Sequence, residues 1–173
     1  YTGSMPPSQG GEASSILVPR SNKMAKANKK IKPHYNFFVS GRWRNRDNLL
    51  DLVKKIKNKG YSVYCFLEAP NAVHRIKNNP EKDMANFEKL NWKEDKYVKR
   101  VFANDMRGER NSDTFVLLLP AGKSCHIEAG VAYGLGKKCI LIGNQKKAES
   151  LYLIFSEVYE NTEQFIENIE FPH

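Results

Sequence analysis

The chain has 173 residues, 40% of them apolar, and a formal net charge of +9, so it is long enough for one domain with a sizeable core. No apolar run approaches the roughly 18 residues of a membrane helix, which argues against a spanning segment. The three cysteines, Cys65, Cys125 and Cys139, are widely spaced and sit in or beside apolar stretches, which argues against a disulfide framework or a zinc site and for a reduced, cytoplasmic setting.

Residues 1–23 read as an expression tag and linker, expected to be disordered. "SSILVPRS" resembles a thrombin-type cleavage site, Met24 is the expected natural start, and no apolar segment of signal-peptide type follows the basic residues. Residues 24–33 form a basic tail, overlapping the lysine-rich tract "KMAKANKKIK" from Lys23 to Lys32. Its plain reading is a solvated tail, the other reading a nucleic-acid arm. The lysines are spread along the chain, so nucleic acid is not the expected partner. The domain proper is expected over 34–173.

"HYNFFVS", His34 to Ser40, is a short aromatic and β-branched run, hence a strand. The next segment is helical: Leu49, Leu50, Val53 and Ile56 share a face, Asn45 or Asp47 is placed to cap the start, and Gly60 supplies a stop. "YSVYCFL", Tyr61 to Leu67, is a second strand. From Glu68 to about Ser112 the chain is polar, with Pro70 and Pro80 as breakers. It predicts a loop, a short helix, and a longer helix with Trp92, Tyr97, Val101 and Phe102 on one side. "DTFVLLLP", Asp113 to Pro120, is apolar almost throughout, as a parallel strand buried on both faces must be. "KSCHIEAGVAYGLG" is a helix ended by Gly134 or Gly136, and "KCILIG", Lys138 to Gly143, another buried strand. A short helix near 149–155, a short strand near 157–159 and a last helix complete the chain, with Asn161 and Gln164 as a capping box.

This alternation predicts an α/β fold: a five-stranded parallel sheet flanked by helices, a Rossmann- or flavodoxin-like three-layer sandwich. Ligands bind such sheets beyond the carboxyl ends of the strands. "SGRWRN" and "PAGKS" both fall there and should face one crevice. In the second, Ser124 and Glu128 are spaced i and i+4, so they share a helical face. A serine among the free N–H groups of a helix start suits an anion, and a carboxylate one turn deeper suits a nucleophile or a base. The bland alternative is an exposed glutamate paired with Lys123 or Arg42. Ser40, Gly41 and Arg42 form a turn that lets backbone approach a ligand, with Arg42 able to pair with phosphate or carboxylate. Gly122, Lys123 and Ser124 form the second anion-facing turn, and Trp43 is a candidate for stacking on a base. Asp105 precedes the central strand and can fold over the site. Asp113 opens that strand, at the wrong end of the sheet. His126, two residues from Glu128, points to another face and reads as a packing histidine.

"SDTFVLLLPAGKSCHIEAGVAYGLGKKCILIG", Ser112 to Gly143, resembles the core of the nucleoside 2-deoxyribosyltransferase-like superfamily, which includes deoxyribosyltransferases and nucleotide N-glycoside hydrolases. "FFVSGRWR" is similar to that family's first strand and ligand turn. The resemblance implies that Glu128 attacks the anomeric carbon of a sugar, that Asp105 protonates or orients the leaving base, and that Ser124 and Arg42 contact a phosphate. With the basic balance, it implies hydrolysis of a nucleoside 5′-monophosphate. Base exchange between nucleosides, cleavage of NAD by a TIR-like variant and a non-catalytic nucleotide sensor are the alternatives. A homodimer is implied, with no metal and no cofactor. The segment 69–106 is long and lysine-rich and does not align clearly.

Overall fold

The computed structural model describes residues 34–69, 79–147 and 149–169; the expected tag, linker and basic tail lie outside them. Five strands form one all-parallel sheet: β1 (Tyr35–Ser40), β2 (Val63–Tyr64), β3 (Ser112–Leu118), β4 (Lys138–Ile142) and β5 (Glu157–Tyr159), in the order β2-β1-β3-β4-β5. Register pairs Val39 with Val116 and Ser40 with Leu117. The order reverses between β1 and β3, and the carboxyl ends of those two strands flank the switch point where α/β sheets bind ligands.

The central strands are apolar in succession because both faces are covered. Val39, Val116, Leu118, Ile140 and Ile142 face one core with Leu49, Leu52, Val53 and Ile56 of α1 (Arg46–Asn58) and Phe165 of α5 (Thr162–Asn168). Phe38, Phe115, Leu117, Cys139 and Leu141 face the other core, with Cys125, Ala129 and Ala132 of α4 (Lys123–Gly134) and Phe155. The three layers are those expected from the sequence. Small residues on the inner face of α4 let that helix lie close to β3 and β4. Gly136, at φ +72°, closes α4 in the left-handed region, with the Lys137 N–H bonded to the Ala132 carbonyl.

The structure corrects several local expectations. The second strand is only Val63–Tyr64, and the chain leaves the edge through a 3-10 turn at Phe66–Glu68. Asn45 stands at the N-cap position of α1 but does not cap it: its Nδ2 donates to the Leu119 carbonyl at 3.4 Å. The polar stretch gives α2 (Pro80–Phe87), capped by Asn79, and α3 (Lys96–Arg110), capped by Asp95. Trp92 falls before α3 and is 68% exposed, and Phe102 is 65% exposed. The residues that α3 buries fully are Gly108 and Glu109. A 3-10 turn, Ser150–Ile154, replaces the expected short helix before β5. At α5, Asn161 accepts from the Gln164 N–H as predicted, and the Gln164 side chain accepts from the N–H of Glu160.

Candidate active site

Ser40, the last residue of β1, is 1% exposed, and its hydroxyl donates to Glu128 Oε2 at 2.6 Å. This bond joins two residues 88 positions apart and ties β1 to α4. Gly41 follows against the buried Leu49: a Cβ there would meet Leu49 Cδ1 at 2.8 Å, so that leucine would have to shift for any larger residue. Arg42 then turns the chain into a 3-10 turn, Trp43–Asn45. A Cβ on Gly122 would lie 4.0 Å from Arg42 Cβ, so the two loops abut across the switch point. Asn45 bridges them through Leu119. The Leu119–Pro120 peptide is cis.

Gly122 occupies the N-cap of α4 without a side chain to cap it, and the first turn holds no acidic residue. The opening N–H groups of α4 are therefore available to an anion, aided by the helix dipole. Lys123 and Ser124 are exposed at this rim beside the exposed Arg42. Ser124 and Glu128 part company: the serine stays at the rim while the carboxyl turns inward to Ser40. Trp43 is half-buried, its ring centroid 6.0 Å from that of Phe66, with the Arg46 guanidinium 6.0 Å above it. That places it in the wall behind the turn.

Glu128 is partly buried, and among the described residues no lysine or arginine pairs with it. Burial pushes its carboxyl up to about 8. The Ser40 hydrogen bond works against the shift, and the charges of Asp105 and Glu109 add to it. Asp105 accepts from the Tyr64 hydroxyl at 2.8 Å. Burial lifts Asp105 to about 6 against the effect of that bond. Tyr64 is held in turn, stacked on Phe38 at 5.2 Å between centroids and edge-on to Tyr35 at 5.5 Å. The carboxylate environment therefore extends past the two loops into the seam between α3 and α4.

The other candidates lie outside this group. His126 contacts the Gly122 carbonyl at 2.8 Å and the Tyr152 hydroxyl at 2.9 Å, fastening the first turn of α4 as a packing residue. Asp113 pairs with His34 at the amino end of the sheet. Tyr64 and Glu109 were missed by the sequence reading. The i, i+4 spacing of Asp105 and Glu109 is the signal the sequence offers, and the aromatic residues of the same segment mask it. Among the described residues no group of three His, Cys, Asp or Glu side chains is placed to hold a metal ion.

Ser40→Ala tests the electrostatics directly. Losing a hydrogen bond that favours the anion is expected to move the Glu128 titration midpoint upward, read by 13C-carboxyl NMR. An unmoved midpoint would show that the bond does not tune this carboxyl.

Comparison with solved structures finds the same fold in a 2-deoxyribosyltransferase from Bacillus psychrosaccharolyticus, at 16% sequence identity and a TM-score of 0.54, covering 78% of this chain and 92% of that one. A Clostridium botulinum CMP N-glycosidase matches at 16% identity and a TM-score of 0.43, covering 76% of this chain and 95% of that one. No family model and no curated protein sequence matches the chain. The first likeness shows the fold that the sequence resemblance implied.

Proposed function

We propose that the protein hydrolyses the N-glycosidic bond of a nucleoside 5′-monophosphate, with Glu128 as nucleophile. One observation carries this reading: a carboxyl with no cationic partner among the described residues, oriented by Ser40, lies one turn below an uncapped helix N-terminus at the switch point of the sheet. The fold shared with a 2-deoxyribosyltransferase agrees with it.

In this reading the 5′-phosphate meets the opening N–H groups of α4, with Arg42 and Lys123 supplying positive charge. The sugar then lies over Glu128. Ser40 occupies Oε2, so Oε1 attacks the anomeric carbon as the bond to the base breaks. The electron pair leaves with the base nitrogen, which takes up a proton. In this reading Asp105 orients or protonates that base. Water then attacks the glycosyl ester, restoring the carboxylate and releasing the sugar phosphate. This is the two-step logic of retaining glycosidases.

Attack needs the ionised form of Glu128, and its proton is lost only around pH 8. The rate is therefore expected to rise with pH through neutrality and level off above about 8. Chromatography of a panel of nucleoside monophosphates, scored for free base across pH 5–9, tests this. No base from any of them sinks the proposal. A second base added to the same mixture reports exchange.

A homodimer fits the outer face of α4. Ile127 is 68% exposed, and Leu153, on the 3-10 turn packed beside that helix, is 88% exposed. A helix apolar on both sides calls for cover on both. Leu151 on the same turn is 79% exposed, and a Leu151→Glu, Leu153→Glu double variant is expected to sediment as a monomer where the parent is a dimer. A monomeric parent removes this part of the proposal.

A further inference from the structure

The lysines and arginines lie scattered in sequence, but the fold sorts those of α3 onto one side. The five cations of this helix, Lys96, Lys99, Arg100, Arg107 and Arg110, fall within about 100° of arc around its axis. Its two acids lie on the opposite side, where Asp105 is bonded to Tyr64 and Glu109 is 0% exposed. Lys96, Lys99, Arg100 and Arg110 are exposed and Arg107 is partly so. Among the described residues none of the five makes an ion pair.

An ordinary solvated face mixes the two signs. Helix α1 does so: Asp47 and Asp51 stand among its lysines, and Lys55 pairs with Asp51. Helix α5 carries Glu163 and Glu167 and no cation. The outer face of α3 instead presents one sign alone over about 21 Å, which draws a polyanion.

Aromatic rings edge this face. Phe102 is 65% exposed although it sits in the middle of the helix. Trp92, just before the helix, is 68% exposed, with the Lys93 ammonium 5.4 Å from its ring centre. Phe102, Met106, Arg107 and Arg110 line a shallow hollow of about 390 Å³. Cations in a row beside exposed rings suit single-stranded nucleic acid, whose phosphates meet the charges while its bases stack on the rings. A lipid surface asks for a continuous apolar face. Helix α3 packs on β1, β3 and α4 through the side that holds Gly108 and Glu109, and its outer face is mostly cationic, so lipid fits it poorly.

We propose that the outer face of α3 is a docking surface for single-stranded nucleic acid, with the strand's backbone along the cations and a base resting on Phe102. The surface is separate from the Ser40–Glu128 pair and does not depend on the hydrolysis proposed above.

The test is fluorescence anisotropy of the full chain with a labelled oligothymidylate of about 20 nucleotides, several times the smallest site a strand-binding fold covers. Log K should fall against log salt by about 0.7 for each phosphate contacted. The Arg100→Gln, Arg110→Gln double variant removes two contacts, so its slope should be flatter by about 1.4 and its binding at low salt at least about tenfold weaker. Phe102→Ala should weaken binding about tenfold with the slope unchanged, the mark of a lost stacking contact. All three positions are exposed, so these variants keep the fold. Glu128→Gln should bind the strand as the parent does, whether or not the parent releases base from nucleotides. No binding by the parent, or equal binding by the double variant, overturns the proposal. So does capture of phosphatidylserine vesicles in place of the strand. Loss of strand binding in Glu128→Gln overturns it too, by moving the strand into the crevice.

Discussion

Glu128→Gln should lower kcat/KM for base release by roughly a thousandfold or more, about 4 kcal/mol of transition-state stabilisation. The amide keeps the shape of the side chain and an oxygen for the Ser40 hydroxyl, but it cannot form the glycosyl ester. Substrate binding should change little, because the proposed phosphate contacts lie at the rim and not at this carboxyl. Stability supplies the control. The folded carboxyl holds its proton up to about 8, against an ordinary value of 4.5, so its stabilising protonation is complete below pH 4.5 and lost as pH rises through about 8. Gln has no such loss. At pH 8 the variant should therefore melt no lower than the parent, and a fall in activity there cannot be laid to unfolding. Retained turnover in Glu128→Gln would remove the nucleophile from the account.

Gly108→Ala should destabilise the protein by about 1–3 kcal/mol, although the same change in an open helix stabilises by about 1. A Cβ at this site would lie 2.6 Å from three atoms of the Tyr64 ring. That ring cannot easily retreat: it is stacked on Phe38, edge-on to Tyr35 and fixed at its hydroxyl by Asp105. At about 2–4 °C per kcal/mol for a domain of this size, the melting point should fall by several degrees. Because the displaced ring carries the partner of Asp105, base release should fall as well, with Glu128 untouched. A raised melting point would show that the seam is loosely packed.

The architecture was legible because its cause is local. Phe115 to Leu118 and Cys139 to Ile142 are apolar without interruption, and only burial on both faces of a sheet explains that. Carboxyl-end logic then placed the two loops together, and the structure has them in contact. The edge was not legible. Tyr61 to Leu67 reads like a full strand, yet only two residues pair with β1, since an edge strand has one partner and the chain is free to leave early. Helix α3 misled for a different reason. Its aromatic period pointed to Trp92 and Phe102, while close approach of Tyr64 demanded a glycine and the seam accepted a glutamate. The Ser40–Glu128 bond could not be seen from spacing at all, because the fold alone brings those residues together.

Gly41 bears on how distant relatives should be compared. The space its side chain would fill belongs to the buried Leu49, which would have to shift for any larger residue, so the interior favours glycine there regardless of what the crevice holds. A descendant that had given up turnover would keep this glycine and be free to exchange the acid at 128 for something apolar. Glycine at 41 thus marks inherited architecture, and on the proposed reading the acid at 128 marks surviving catalysis.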